Sequence, residues 1–337
     1  MPLRLVDRRP EVPPERIVAG LVPPPRFAVA RFETYRPDPA EPSQAAAVEQ
    51  LQAFATTLEP PRRGLFGRPK PRPGKPGFYL DGGYGVGKTH LLASLWHAAP
   101  RPAAYATFVE LTDLVGALGF QPAVQALSDH RLLAIDEFEL DDVGSTVLVS
   151  TLLTRLVEAG VRVAATSNTL PTDLGQGRFN ADDFLREIQG LAAHFEPLRV
   201  EGEDYRHRGL PEAPPPLPDD ALTDAAGRIP GASLDDFPAL VAHLSELHPV
   251  RYGALLDDVT AVCLSGVTPV AHQADALRVV VLADRLYDRD VPVLISGVPL
   301  DELFPPDMLK GGYQKKYRRA VSRLTALSRD ALARTGA

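Results

Sequence analysis

The chain of 337 residues has a single cysteine, Cys263, so no internal disulfide can staple it and no thiolate-rich metal cluster can form. Cys263 lies in the apolar run VTAVCLSGV, where a buried, inert thiol is expected. No stretch approaches the ~20 consecutive apolar residues needed to cross a bilayer. The opening MPLRLVDRRPEVPPER mixes acids, arginines and prolines with no apolar targeting core, and a cytoplasmic protein is expected. An excess of positive charge is missing too: 36 Lys and Arg stand against 43 Asp and Glu, for a formal net charge of -7. That balance weighs against a dedicated non-specific nucleic-acid binder, whose affinity would come from cations on phosphates. The eight histidines form no HExxH or Cys/His ligand pattern, and no GxSxG elbow is present, so zinc hydrolysis and serine-nucleophile chemistry find no support. What is present is globular composition, 45% hydrophobic and 23% charged, enough for one large or two modest cores.

Proline is plentiful, at 34 residues, and its clusters mark joints because it removes a backbone donor and disfavours helix in the preceding residue. Residues 1–76 read as an extended amino-terminal arm, a first helix opened by Ser43, and the basic loop PPRRGLFGRPKPRPGKPG, either a solvated linker or a contact for an anionic partner. Residues 77–210 alternate short apolar runs (77–81, 103–108, 131–136, 161–167, 197–202) with helical patterns (88–98, 110–118, 142–159, 181–193). That alternation predicts an α/β fold with a doubly wound parallel sheet. After PEAPPPLPDD, residues 211–337 mix helical patterns at 234–247, 273–288 and 314–333 with strand-like runs at 258–264 and 291–296, a mixed and mainly helical carboxy-terminal part of α/β and lid-like character. RLVEAGVRVAATSNTL (155–170) and RLYDRDVPVLISGVPL (285–300) align without gaps with five identities, hinting at a repeated helix–strand unit.

The strongest chemical signal is Gly82-Gly83-Tyr84-Gly85-Val86-Gly87-Lys88-Thr89, a GxxxxGK[ST] P-loop between a predicted strand and a predicted helix. Its glycines let successive N–H groups point inward at phosphates, and the helix amino end adds unpaired donors. Lys88 would reach the β and γ phosphates, and the Thr89 hydroxyl would ligate Mg2+. The run Arg131-Leu132-Leu133-Ala134-Ile135-Asp136-Glu137 ends a strand in two acids, and carboxyl ends of parallel strands are where ligands bind. Asp136 would hold the magnesium and Glu137 would orient the attacking water, an acidic pair that without the P-loop would read as a solvated turn. At the next strand end Asn168 could sense the γ-phosphate, or could simply cap the turn before Leu170-Pro171. Arg178, Arg186, Arg319 and Arg323 are candidates for transition-state charge, each equally readable as a solvent-facing arginine. His90, next to Thr89, falls at the rim of the nucleotide-binding set or on the helix surface. The predicted intervening strand at 103–108 and the absence of an NKxD motif argue against a nucleotide kinase or GTPase.

The segments FYLDGGYGVGKTHLLAS, LLAIDEFELDD and VAATSNTLPTDL together resemble the ZapE-type AAA+ ATPases, bacterial cell-division relatives of the mitochondrial Afg-type ATPases. RFETYRPDPAEPSQAAAVEQL, LADRLYDRDVPVLISGVPLDELF and YRRAVSRL extend the likeness over about residues 27–328. The resemblance implies a Mg2+-dependent ATPase that forms a homo-oligomeric ring and couples ATP hydrolysis to remodelling a protein substrate or division-ring component. It implies Lys88, Glu137 and Asn168 as catalytic residues, Arg323 as a second sensor, and Phe32 or Tyr35 near the adenine. One departure stands out. Where the family carries G-x-x-R-x-x-F-x-P-x-I, alignment on Phe184 and Ile188 puts Ala181 at the arginine position and Arg186 at the proline position, so either Arg178 or Arg186 substitutes from nearby or activation across subunits is weak; substitution is expected. GKTHLL also occurs in DNA-linked AAA+ ATPases of the helicase-loader kind; the negative charge weighs against that alternative.

Overall fold

The computed structural model describes residues 2–59, 74–83, 85–138, 143–168, 189–190, 192–202 and 213–335. The chain divides into two compact units. The first comprises Pro14–Pro23 and Phe27–Arg208, and the second Met1–Pro13, Pro24–Arg26 and Gly209–Ala337. Most of the predicted basic loop, residues 60–73, and most of the predicted helix at 181–193 lie outside the described residues.

The first unit begins with α1 (Pro14–Ala19) and α2 (Pro42–Thr56), whose buried residues Gln44, Ala47, Leu51 and Phe54 recur at helical spacing along one stripe. Strands β1 (Gly77–Asp81), β2 (Ala103–Thr107), β3 (Leu132–Asp136), β4 (Arg162–Ser167) and β5 (Phe195–Arg199) form one parallel sheet in the order β2-β3-β4-β1-β5. The crossovers are α3 (Lys88–Ala98), α4 (Phe108–Leu118) with α5 (Phe120–Ser128), and α6 (Val143–Glu158). Every residue of β3 is buried, as a central strand covered on both faces requires. Side-chain alternation sorts the two cores. Leu133 and Ile135 join α4, α5 and α6, whereas Leu132 and Ala134 face the layer of α2 and α3. The sheet is doubly wound, as the sequence predicted. β5 begins two residues before the predicted run because Phe195 is drawn into the core between Tyr79 and Phe138.

The second unit contains α7 (Asp219–Arg228), β6 (Ala232–Asp236), α8 (Phe237–Glu246), β7 (Ala261–Val267), α9 (Gln273–Asp288), β8 (Val293–Gly297) and α10 (Gln314–Thr335). Its three strands form a separate parallel sheet, β6-β7-β8. The helix expected at 234–247 therefore needs correction. It starts at Phe237, capped by Asp236, and the residues before it are strand β6. Helical periodicity in LVAHLSEL extends backward into ASLDD, and the boundary is marked by the capping Asp236 with Pro238 in the first turn. Leu3 adds a parallel bridge to Ser233 of β6, and Leu5 is fully buried among Phe237, Leu240 and Leu244.

This unit repeats part of the first. In both, a helix precedes three strands joined by helical crossovers: α3-β2-α4-α5-β3-α6-β4 in one and α7-β6-α8-β7-α9-β8 in the other. Ala103–Thr107 pairs with Leu132–Asp136 as Ala232–Asp236 pairs with Ala261–Ser265. Leu133, Ala134 and Ile135 face Val163, Ala164 and Ala165 as Val262, Cys263 and Leu264 face Val293, Leu294 and Ile295. The aligned runs 155–170 and 285–300 are the α6–β4 and α9–β8 steps of this repeat.

Candidate active site

β1 leads into α3 through the glycine loop, whose backbone makes turns that side chains resist. Gly87 has φ 89°, and a Cβ there would lie 2.5 Å from Tyr35 Cε2. Gly82 passes so close to β5 that a Cβ would meet the Val200 carbonyl oxygen at 2.0 Å. Val86 is buried, and its carbonyl accepts a 2.8 Å hydrogen bond from the Tyr35 hydroxyl, which ties the loop to the segment before α2. Tyr84 lies outside the described residues.

Lys88, the first residue of α3, is 8% exposed, and its Nζ donates to the carbonyls of Gly82 (2.9 Å) and Gly83 (2.5 Å) and to Asn168 Oδ1 (3.0 Å). The Thr89 hydroxyl donates to Asp136 Oδ1 at 3.2 Å. Lys88 and Thr89 are thus joined to residues from the ends of β3 and β4, and three motifs separate in sequence meet at the carboxyl edge of the sheet.

Asp136 is the hub. Besides Thr89, the Thr166 hydroxyl donates to its Oδ1, and the Tyr105 hydroxyl donates to its Oδ2 at 2.9 Å. Burial and then the neighbouring Glu137 charge push the Asp136 carboxyl above the usual aspartate range, against the pull of the three hydroxyl bonds. Burial likewise pushes up the Tyr105 phenol, with the Asp136 charge adding to it. Glu137 adopts φ 52°; its N–H donates to Thr166 Oγ1 (3.1 Å), and the next N–H, of Phe138, donates to the Thr166 carbonyl (2.7 Å). The buried Phe138 ring packs edge-on against Tyr79, Phe108 and Phe195, which anchors the turn carrying Glu137. At the end of β1, Asp81 is 2% exposed and paired with Arg199 at 3.2 Å; burial raises its carboxyl, and Arg199 and Lys88 oppose that rise.

His90 is held by the segment before α2, its Nε2 lying 3.0 Å from Thr34 Oγ1 and 3.1 Å from the Arg31 carbonyl. Phe32 is buried in the α2–α3 core, whereas Tyr35 contacts the loop itself. Arg323 belongs to the second unit, where it and Arg319 pair with Asp284 of α9. Arg178 and Arg186 lie outside the described residues. Tyr105 and Asp81 carry no motif. Their signal is parity, since both sit in short apolar strands where a polar group must find a partner at the strand end.

The hydroxyl of Thr89 and the carboxylate of Asp136 are hard oxygen donors of the kind Mg2+ takes when phosphates complete its shell, and the raised Asp136 carboxyl is a buried charge that a cation would stabilise. A sequence model of AFG1-like ATPases matches residues 11–229 and 223–335. The chain belongs to the AFG1-like ATPase family. Membership makes it a nucleotide-binding ATPase, with the P-loop NTPase fold described above. The cell division protein ZapE of Escherichia coli K12 is 25% identical over 297 residues, covering 75% of this chain and 78% of that protein. An uncharacterized protein of Schizosaccharomyces pombe, C115.02c, is 28% identical over 173 residues, covering 43% and 38%. A solved structure of DnaI superimposes with TM-score 0.42 at 18% identity, covering 56% of this chain and 98% of that one. Among the described residues, no helix is long and apolar enough to cross a membrane.

Proposed function

We propose that this AFG1-like ATPase hydrolyses magnesium ATP in the cytoplasm as a homo-oligomer and spends the cycle on remodelling a protein partner in bacterial cell division. The observation that carries the catalytic part is the meeting of Lys88, Thr89, Asp136 and Asn168 at one sheet edge. The division role is supported by the ZapE likeness over three quarters of the chain.

In this reading the loop amides and the amino end of α3 hold the phosphates, because a helix start carries unpaired N–H groups and positive partial charge. Lys88 exchanges its loop carbonyls for β- and γ-phosphate oxygens and keeps Asn168 in register with the terminal phosphate. Thr89 and Asp136 hold magnesium, which when bound neutralises charge developing on the phosphates. Glu137, carried past the strand end by its left-handed backbone, orients water for in-line attack. An arginine from a neighbouring copy, Arg178 or Arg186, completes the charge around the γ-phosphate.

Steady-state hydrolysis and fluorescent-nucleotide binding test the reading. Lys88→Ala should weaken ATP binding by about tenfold or more, since a charge-assisted contact is lost. Glu137→Gln should keep binding and lose roughly 10²-fold or more in turnover. Equal turnover for Glu137→Gln and wild type would overturn the mechanism. Turnover stimulated by a division-ring polymer is the expected sign of the partner, and no stimulation across division proteins would overturn that part.

A further inference from the structure

We propose that Tyr105 is a positioning residue for catalysis, whose hydroxyl fixes the rotation of the Asp136 carboxylate so that Oδ1 stays on Thr89. This rests on the reading of Asp136 as the carboxylate on the magnesium side. Tyr105 sits on β2 opposite Ala134, one pleat below the Thr107–Asp136 pair, on the face that carries α3. From there the phenol reaches up the sheet to Oδ2 at 2.9 Å while remaining 3% exposed. The other oxygen is held by the hydroxyls of Thr89 and Thr166. With donors on both oxygens, the carboxylate cannot turn without leaving a buried polar group unpaired.

The repeated unit supplies an internal control. The Gly266 N–H donates to Ser296 Oγ at 3.1 Å, as the Glu137 N–H donates to Thr166 Oγ1 at 3.1 Å, and Gly266 shares the positive φ, 63° against 52°. Ser296 also donates to a carboxylate, that of Asp219 at the start of α7. The strand-end hydroxyl therefore belongs to the shared architecture of both copies. The tyrosine does not. Leu234 occupies its register position, opposite Cys263, and Ser265 and Gly266 stand where Asp136 and Glu137 stand. At this register position the phenol stands in the copy that has an acidic pair for it to hold and a leucine in the copy that has none, which favours a role in orienting the acid over one in building the sheet.

Tyr105→Phe removes the hydroxyl and keeps the ring. The expected result is about a tenfold rise in the Mg2+ concentration for half-maximal ATP turnover, as for a hydrogen bond to a charged group. The Mg2+-dependent gain in mant-ATP binding should weaken by a similar factor, while mant-ATP binding in EDTA and the thermal midpoint stay near wild type. Ser296→Ala, losing the matching hydroxyl of the other copy, should lower the midpoint and leave the Mg2+ dependence unchanged. Wild-type Mg2+ dependence in Tyr105→Phe would overturn the inference. So would a collapsed midpoint or an equal loss of binding in EDTA, since either assigns the hydroxyl to the fold. If wild type itself gains nothing from Mg2+ in nucleotide binding, the proposed function fails and the inference with it.

Discussion

At the scale of single residues, the glycine loop is shaped as much by what lies against it as by its own flexibility. Gly87 is left-handed, and its Cα faces the Tyr35 ring, so a methyl group there meets both a backbone penalty and a clash. Gly87→Ala should cost about 1–2 kcal/mol in stability, and it should weaken nucleotide binding more than Gly160→Ala. Gly160 is also left-handed but has open space around it. Denaturation and binding measured on both variants separate strain from lost loop geometry. Tyr35 could be named from the sequence only through the family likeness; its contact with Val86 and Gly87 depends on a segment some fifty residues earlier in the chain, a distance that no local pattern reports.

Among the elements, the long helices were the most legible. The bounds of α3 and α9 match the predicted 88–98 and 273–288, because apolar periodicity runs cleanly between a glycine loop or polar turn and the next strand. The acidic strand β3, its neighbours β2 and β4, and β1 beyond β4 were legible as apolar runs for the same reason. β6 was not, since two of its five residues are aspartates, Asp235 being buried and bonded to the Val6 N–H rather than to solvent. The tie between α9 and α10 was equally hidden, although its arginines were noticed. Asp284 accepts from Arg319 at 2.9 Å and from Arg323, with all three side chains about a fifth exposed or less. Burial alone would raise the Asp284 carboxyl, but the two guanidiniums outweigh it and hold it below the ordinary aspartate value. A depressed folded-state value means that the pair stabilises above the unfolded aspartate range, near pH ~4, and is lost as pH falls through the lower folded value. Asp284→Asn should therefore cost about 2 kcal/mol or more at pH 7. It should also flatten the fall of stability below pH ~4 relative to wild type, as read by chemical denaturation across pH.

For the molecule as a whole, the second unit draws on both ends of the chain. Leu3 bridges β6, Leu5 is buried in the core beside α8, and Arg8 donates to the carbonyls of Leu255 (2.9 Å) and Asp257 (2.6 Å). Deleting Met1–Arg9 should speed hydrogen exchange in Ala232–Asp236 and Phe237–Glu246 by about tenfold or more, the equivalent of one buried leucine. Exchange in β1 to β4 should be unchanged, and an equal effect on both sheets would contradict the division into units. On the ribosome the residues of Met1–Pro13 emerge 229 to 249 residues ahead of the partners they bond, so this segment must wait for them while the first unit is translated. Any chaperone that meets the nascent chain early will find Leu3 and Leu5 bare, and the second unit can close only after the first has been made.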